Sequence, residues 1–100
     1  MKVVALVADL MDRSKISAAI PDTTFARDAA ACADADVVIV DYMRAGDGVS
    51  EVRSVSPNAR IVAFGRHTDE TGAAAAAAAG ADIVWPRSRF FHDPAAALNA

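Results

Sequence analysis

Cysteine is almost missing from this sequence: Cys32 is the only one. That excludes a disulfide framework or a thiolate metal cage within one chain, and it suits a reducing compartment, so a cytoplasmic location is expected. No apolar stretch approaches the roughly 20 residues that a membrane helix needs, and the run from Val3 to Ala8 is too short for a signal-peptide core. Excess positive charge is absent too. Eight arginines are scattered along the chain and the net charge is −3, so there is no basic stripe and nucleic-acid binding by this chain alone is not expected. Glycine is sparse, and none of it builds a phosphate-cradling loop ending in Gly-Lys-Ser/Thr or a G-x-G-x-x-G after the first apolar run. No serine stands in a nucleophile elbow, and Asp41-Tyr42-Met43 lacks the second acid that an aspartyl-phosphate hydrolase places two residues on. These absences remove the main enzyme classes, and no enzyme is expected.

What is present amounts to one domain spanning 1–100, with no room for a separate output domain. The apolar fraction is 54%, but 25 residues are alanine, so the core must come from the Val, Ile, Leu, Phe and Trp positions and stability should be modest.

Strand and helix signals alternate along the chain. Val3 to Ala8 is apolar without alternation, as in a strand buried on both faces, and Asp12 to Ile20 carries Ile16, Ala19 and Ile20 at helical spacing before Pro21. Thr23 to Ala26 reads as a short edge strand, and Asp28 to Ala35 as a small alanine-rich helix with Asp28 as its N-cap. Asp36 to Asp41 is the clearest strand, followed by a loop over Arg44 to Gly48 and a helix over Val49 to Val55 ahead of Pro57. Arg60 to Phe64 is another strand, with a turn at Gly65 to Thr68. Thr68 or Asp69 can cap the alanine tract, Gly72 weakens it by about 1 kcal/mol, and Gly80 ends it. Ile83 to Trp85 forms the last strand, and Asp93-Pro94 opens a short terminal helix. The expected fold is α/β: one doubly wound, parallel, five-stranded sheet whose second strand and helices are abbreviated.

Two acids end apolar runs, Asp9 the first and Asp41 the third, and parallel sheets gather such strand ends at one crevice. Asp41 followed by Arg60-Ile61-Val62-Ala63-Phe64, an alanine helix closing in Gly80-Ala81-Asp82, and a strand running into Pro86-Arg87-Ser88 resembles the receiver domain of bacterial response regulators, which is flavodoxin-like with strand order 2-1-3-4-5. The resemblance covers nearly the whole chain and is best from Asp36 to Arg87. It implies that Asp41 is the phosphoacceptor candidate and that Asp9 and Asp41 are the candidates for holding magnesium. It also places Arg87 where the family carries a lysine. The departures are equally specific. Ala8 precedes Asp9 where a second acid is usual, Gly65 stands at the hydroxyl position with Thr68 nearby but displaced, and the Lys-Pro pair becomes Arg87-Ser88 with Pro86 ahead of it. An arginine keeps the charge but changes reach and geometry. The pattern resembles the degenerate or pseudo-receiver members of the family.

The residues themselves leave plainer roles open. Asp41 is also what a buried strand meeting solvent looks like, and Asp12 fits the N-cap of the first helix as well as a third oxygen ligand. His67 and His92 have no ligand spacing and read as loop histidines; Trp85 and Cys32 read as packing residues, and Met43 as a core or loop side chain. Three functions follow: a stand-alone receiver-like regulator acting by protein contact without efficient phosphorylation; a true phosphoacceptor using Asp41 with magnesium; and a small-ligand binder in the crevice between the first and third strands. A protein partner or a second copy is expected on the face built from Asp69–Ala79, Ile83–Trp85 and Pro94–Asn99, which is nearly uncharged after Glu70.

Overall fold

The computed structural model describes residues 1–100. Five strands, β1 (Val3–Leu6), β2 (Thr24–Phe25), β3 (Val37–Asp41), β4 (Arg60–Gly65) and β5 (Ile83–Pro86), form one sheet in the order β2-β1-β3-β4-β5. Every pairing is parallel, with Val4 opposite Val38, Val38 opposite Ile61 and Ala63 opposite Val84 setting the register. The helices are α1 (Leu10–Ala19), α2 (Gly48–Val55), α3 (Glu70–Ala79) and α4 (Arg87–His92), joined by 3-10 turns at Ala29–Cys32 and Pro94–Leu98. None is long and apolar enough to cross a membrane.

The unbroken apolar runs of β1, β3 and β4 reflect a sheet covered on both sides. Because side chains alternate along a strand, Val4, Leu6, Val38, Val40, Ile61 and Ala63 point into one core, which α2, α3 and the Ala29–Cys32 turn cover. Val3, Ala5, Val7, Ile39, Val62 and Phe64 point into the other, covered by α1, α4 and the terminal turn. Phe64 and Phe90 stack there with centroids 4.7 Å apart.

Several boundaries move from the sequence-based expectation. The first helix starts at Leu10 rather than Asp12, because Asp9 is its N-cap: its Oδ1 accepts the Asp12 N–H at 3.0 Å. Asp12 is therefore not the cap but stands in the first turn. The Ala29–Cys32 segment closes only as a 3-10 turn, and Asp28 makes no side-chain cap bond. A helix so short cannot repay its nucleation, and the chain beyond it is tied down by Lys2, whose ammonium pairs with Asp34 at 2.6 Å and whose N–H donates to Asp36 Oδ2 at 2.6 Å. Asp93 opens another 3-10 turn instead of an α-helix. Helix α4, directly after β5, was not expected; it buries Phe90 under the sheet and begins with Arg87. Gly80, at φ +120°, closes α3 as anticipated, and its carbonyl accepts from Arg53.

Candidate functional site

The carboxyl ends of β1 and β3, on either side of the point where strand order reverses, bring the acids together. Asp41, the last residue of β3, is only 2% exposed, and its Oδ1 accepts the Met43 N–H at 3.0 Å, which folds the loop back over the strand end. Asp12 points into the same crevice from α1 and is 3% exposed. Arg87 enters from the start of α4 and holds Asp12 with two bonds, Nη2 to Oδ1 at 2.7 Å and Nη1 to Oδ2 at 3.0 Å. Its guanidinium also lies over the Phe64 and Phe91 rings, 5.4 and 5.0 Å from their centroids. Both oxygens of Asp12 are thus engaged by one planar fork, a geometry that arginine supplies and lysine does not. Asp9 stands half-buried at the rim.

The electrostatics follow from this packing. Burial pushes the Asp41 carboxyl up; the Met43 N–H and the charges of Arg87 and Arg44 pull it back only partly, and Asp12 adds to the rise. Asp9 is held below the ordinary carboxylate range, first by the Asp12 N–H it caps. The Arg87 guanidinium is pushed up, chiefly by its bonds to Asp12.

The shift on Asp41 has a sign that can be measured. A carboxyl that binds its proton more tightly folded than unfolded loses stability as pH rises from the ordinary carboxylate range through its own raised value. Asp41→Asn, which keeps an acceptor for the Met43 N–H, should therefore raise the melting temperature by a few degrees at neutral pH. The advantage should shrink on acidification through that window, as thermal melts at stepped pH would record.

The hydroxyl position of the resemblance has a physical occupant. A Cβ on Gly65 would clash with Tyr42 at its Cζ and lie 2.6 Å from its Oη, and a Cβ on Gly72 would come within 2.9 Å of the same ring. Tyr42 lies between these two glycines, its hydroxyl donating weakly to the Arg66 carbonyl at 3.3 Å. Thr68 is exposed in the turn after β4. Of the remaining candidates, Cys32 is buried with its thiol pushed up by desolvation, and Trp85 is half-buried beneath Arg89. His67 and His92 are exposed and Met43 is 40% exposed. The structure thus brings Asp41, Asp12 and Arg87 together, with Asp9 beside them. The sequence reading missed the Asp12–Arg87 pair and the Tyr42–Gly65 contact, for neither of which is there a local signal.

The sequence matches no family model and no curated protein. Solved structures do match it. A response regulator protein from Burkholderia pseudomallei, crystallised with a phosphorylated aspartic acid, calcium ion and citrate, superposes with a TM-score of 0.75 at 18% identity, over 98% of this chain and 66% of that one. A response regulator from Hahella chejuensis gives 0.72 at 20% identity, over 88% of this chain and 80% of its own. NtrX from Brucella abortus gives 0.76 at 19% identity, over 98% of this chain but 27% of its own. This chain has the receiver fold. Within that fold Asp41 ends the central strand β3, and the arginine that shares its crevice, Arg87, is bonded to Asp12.

Proposed function

We propose that this receiver-fold chain is a signalling or regulatory module that works through protein–protein contact, as a degenerate receiver that does not take a phosphoryl group on Asp41 efficiently. The observation that carries the reading is the two-pronged bond of Arg87 to Asp12. Phosphoryl transfer asks a protein mainly for positioned charge around the acceptor, and here the crevice cation is already committed to a buried acid. Tyr42 over Gly65 supports the same reading, since the hydroxyl that would turn toward a phosphate is replaced by a bare backbone under an aromatic ring.

The fold family implies a divalent cation at this crevice, and the donor set argues against one. Magnesium requires near-octahedral oxygen coordination. Both Asp12 oxygens go to Arg87, one oxygen each of Asp9 and Asp41 accepts a backbone N–H, and no three acidic, histidine or cysteine side chains gather as a cage. The residues present do not fit the ion. The Arg87 guanidinium supplies the positive charge in its place. The partner face in this reading is α3 and its neighbours, where Ala74, Ala75, Ala77 and Ala78 are exposed and no long side chain needs to be displaced.

Intact-mass measurement after incubation with acetyl phosphate and magnesium tests the reading. The expected spectrum is the unmodified chain, indistinguishable from that of Asp41→Asn. Rapid stoichiometric gain of one phosphoryl mass, absent in Asp41→Asn, would establish the phosphoacceptor reading instead.

A further inference from the structure

A second site lies on the other side of the β1 strand end, outside the acid crevice. A cleft of about 590 Å³ opens between the β1–α1 connection, the loop after β2 and the segment from Arg44 into α2. That volume is in the range of small-molecule sites, and the position, at the carboxyl edge beside the strand-order reversal, is where open α/β sheets bind ligands. Three arginines from three separate elements line it: Arg13, Arg27 and Arg44. Arg13 is fixed in place, its Nε donating to the Val7 carbonyl at 2.6 Å and its guanidinium over the Phe25 ring at 5.3 Å, so its terminal nitrogens bond to nothing else in the chain. Arg27 and Arg44 take part in none of the three ion pairs of the molecule. Asp28 and Glu51 line the same cleft and are likewise unpaired.

We infer that this cleft binds a small hydroxylated phosphate monoester, such as a sugar phosphate or a nucleoside monophosphate. Three guanidinium groups lining one cleft offer forked donors of the kind that match a phosphate dianion. Two carboxylates left free in the same cleft, Asp28 and Glu51, are acceptors for hydroxyls. Leu6, Ala26 and Ala45 give the floor an apolar surface for the carbon skeleton. The inference stands apart from the receiver reading, because none of these arginines pairs with Asp12, and Arg44 reaches Asp41 and Asp9 only through its charge, without a bond to either.

Calorimetric titration of the full chain with ribose 5-phosphate and with adenosine monophosphate tests it, with inorganic phosphate and ribose as half-probes. Saturable one-to-one binding of either ester is expected, tighter than that of either half-probe. The exposed pair Arg27→Ala/Arg44→Ala should weaken it at least tenfold, roughly 1.4 kcal/mol, whereas Arg89→Ala and Asp41→Asn should leave it unchanged. The inference is overturned if neither ester binds saturably, if inorganic phosphate binds as well as the esters, or if the double variant binds normally. Loss of binding in Asp41→Asn would overturn it too, by putting the anion in the acid crevice. Labelling of Asp41 by a phosphodonor, which would sink the receiver reading, leaves these outcomes untouched.

Discussion

Arg87→Met is expected to lower the unfolding free energy by about 2–3 kcal/mol, the largest loss from any single polar substitution in the chain. Removing one partner of a buried ion pair leaves the other charged in a site that water does not reach, at a cost of about 3–5 kcal/mol for fully buried pairs. Asp12 is 5% exposed at its side chain but Arg87 is 40% exposed, so solvent screening places this pair below that range. Methionine retains much of the contact with Phe64 and Phe91 while losing the charge. For a domain of this size the loss corresponds to a melting temperature lower by roughly 10–20 °C. The decisive comparison is with Asp12→Leu/Arg87→Met, which removes the stranded carboxylate along with the guanidinium. The double variant should be more stable than Arg87→Met alone, and a double-mutant cycle in urea should give a coupling of about 2 kcal/mol. Additive losses would mean that Asp12 and Arg87 are merely neighbours.

Gly65→Thr should be the second costly change, although it restores the residue type that the receiver resemblance expects at the end of β4. The new Cβ clashes with Tyr42 Cζ, so the ring must leave the slot between Gly65 and Gly72 or the strand must shift. Overpacking of this kind costs about 1–3 kcal/mol. Tyr42→Ala in the same chain frees the slot, so the pair should be less destabilised than the sum of the two single variants. If Gly65→Thr melts like the wild type, Tyr42 moves freely and does not need the slot beside Gly65.

These two contacts also mark what could be read from the sequence. Runs such as Val37–Val40 and Ile61–Phe64 declared themselves as strands buried on both faces because a parallel sheet covered by helices leaves no polar alternation. That Asp9 and Asp41 lie at one sheet edge was legible for the same reason: each ends such a run, and parallel strands share an edge. The choice of Asp9 over Asp12 as the cap was not, since it depends on how the chain leaves β1, and both acids have the right chemistry. Helix α4 escaped because six residues with adjacent phenylalanines carry too little period to register. The Asp12–Arg87 pair joins positions 75 residues apart. No local pattern points to it, and only the closing of α4 against α1 beneath the sheet edge makes it. Tyr42 was hidden differently: Gly65 read as a missing hydroxyl, when the fold shows it as the space an aromatic ring requires.

Magnesium titration of the wild-type chain tests most directly whether the crevice carries its own cation in Arg87. Calorimetry with parallel thermal melts should show no saturable heat and no magnesium-dependent rise in melting temperature. Arg87→Met, with the Asp12 oxygens released beside Asp41, should gain such a rise. Saturable uptake of one magnesium ion by the wild type, lost in Asp41→Asn, would contradict the account.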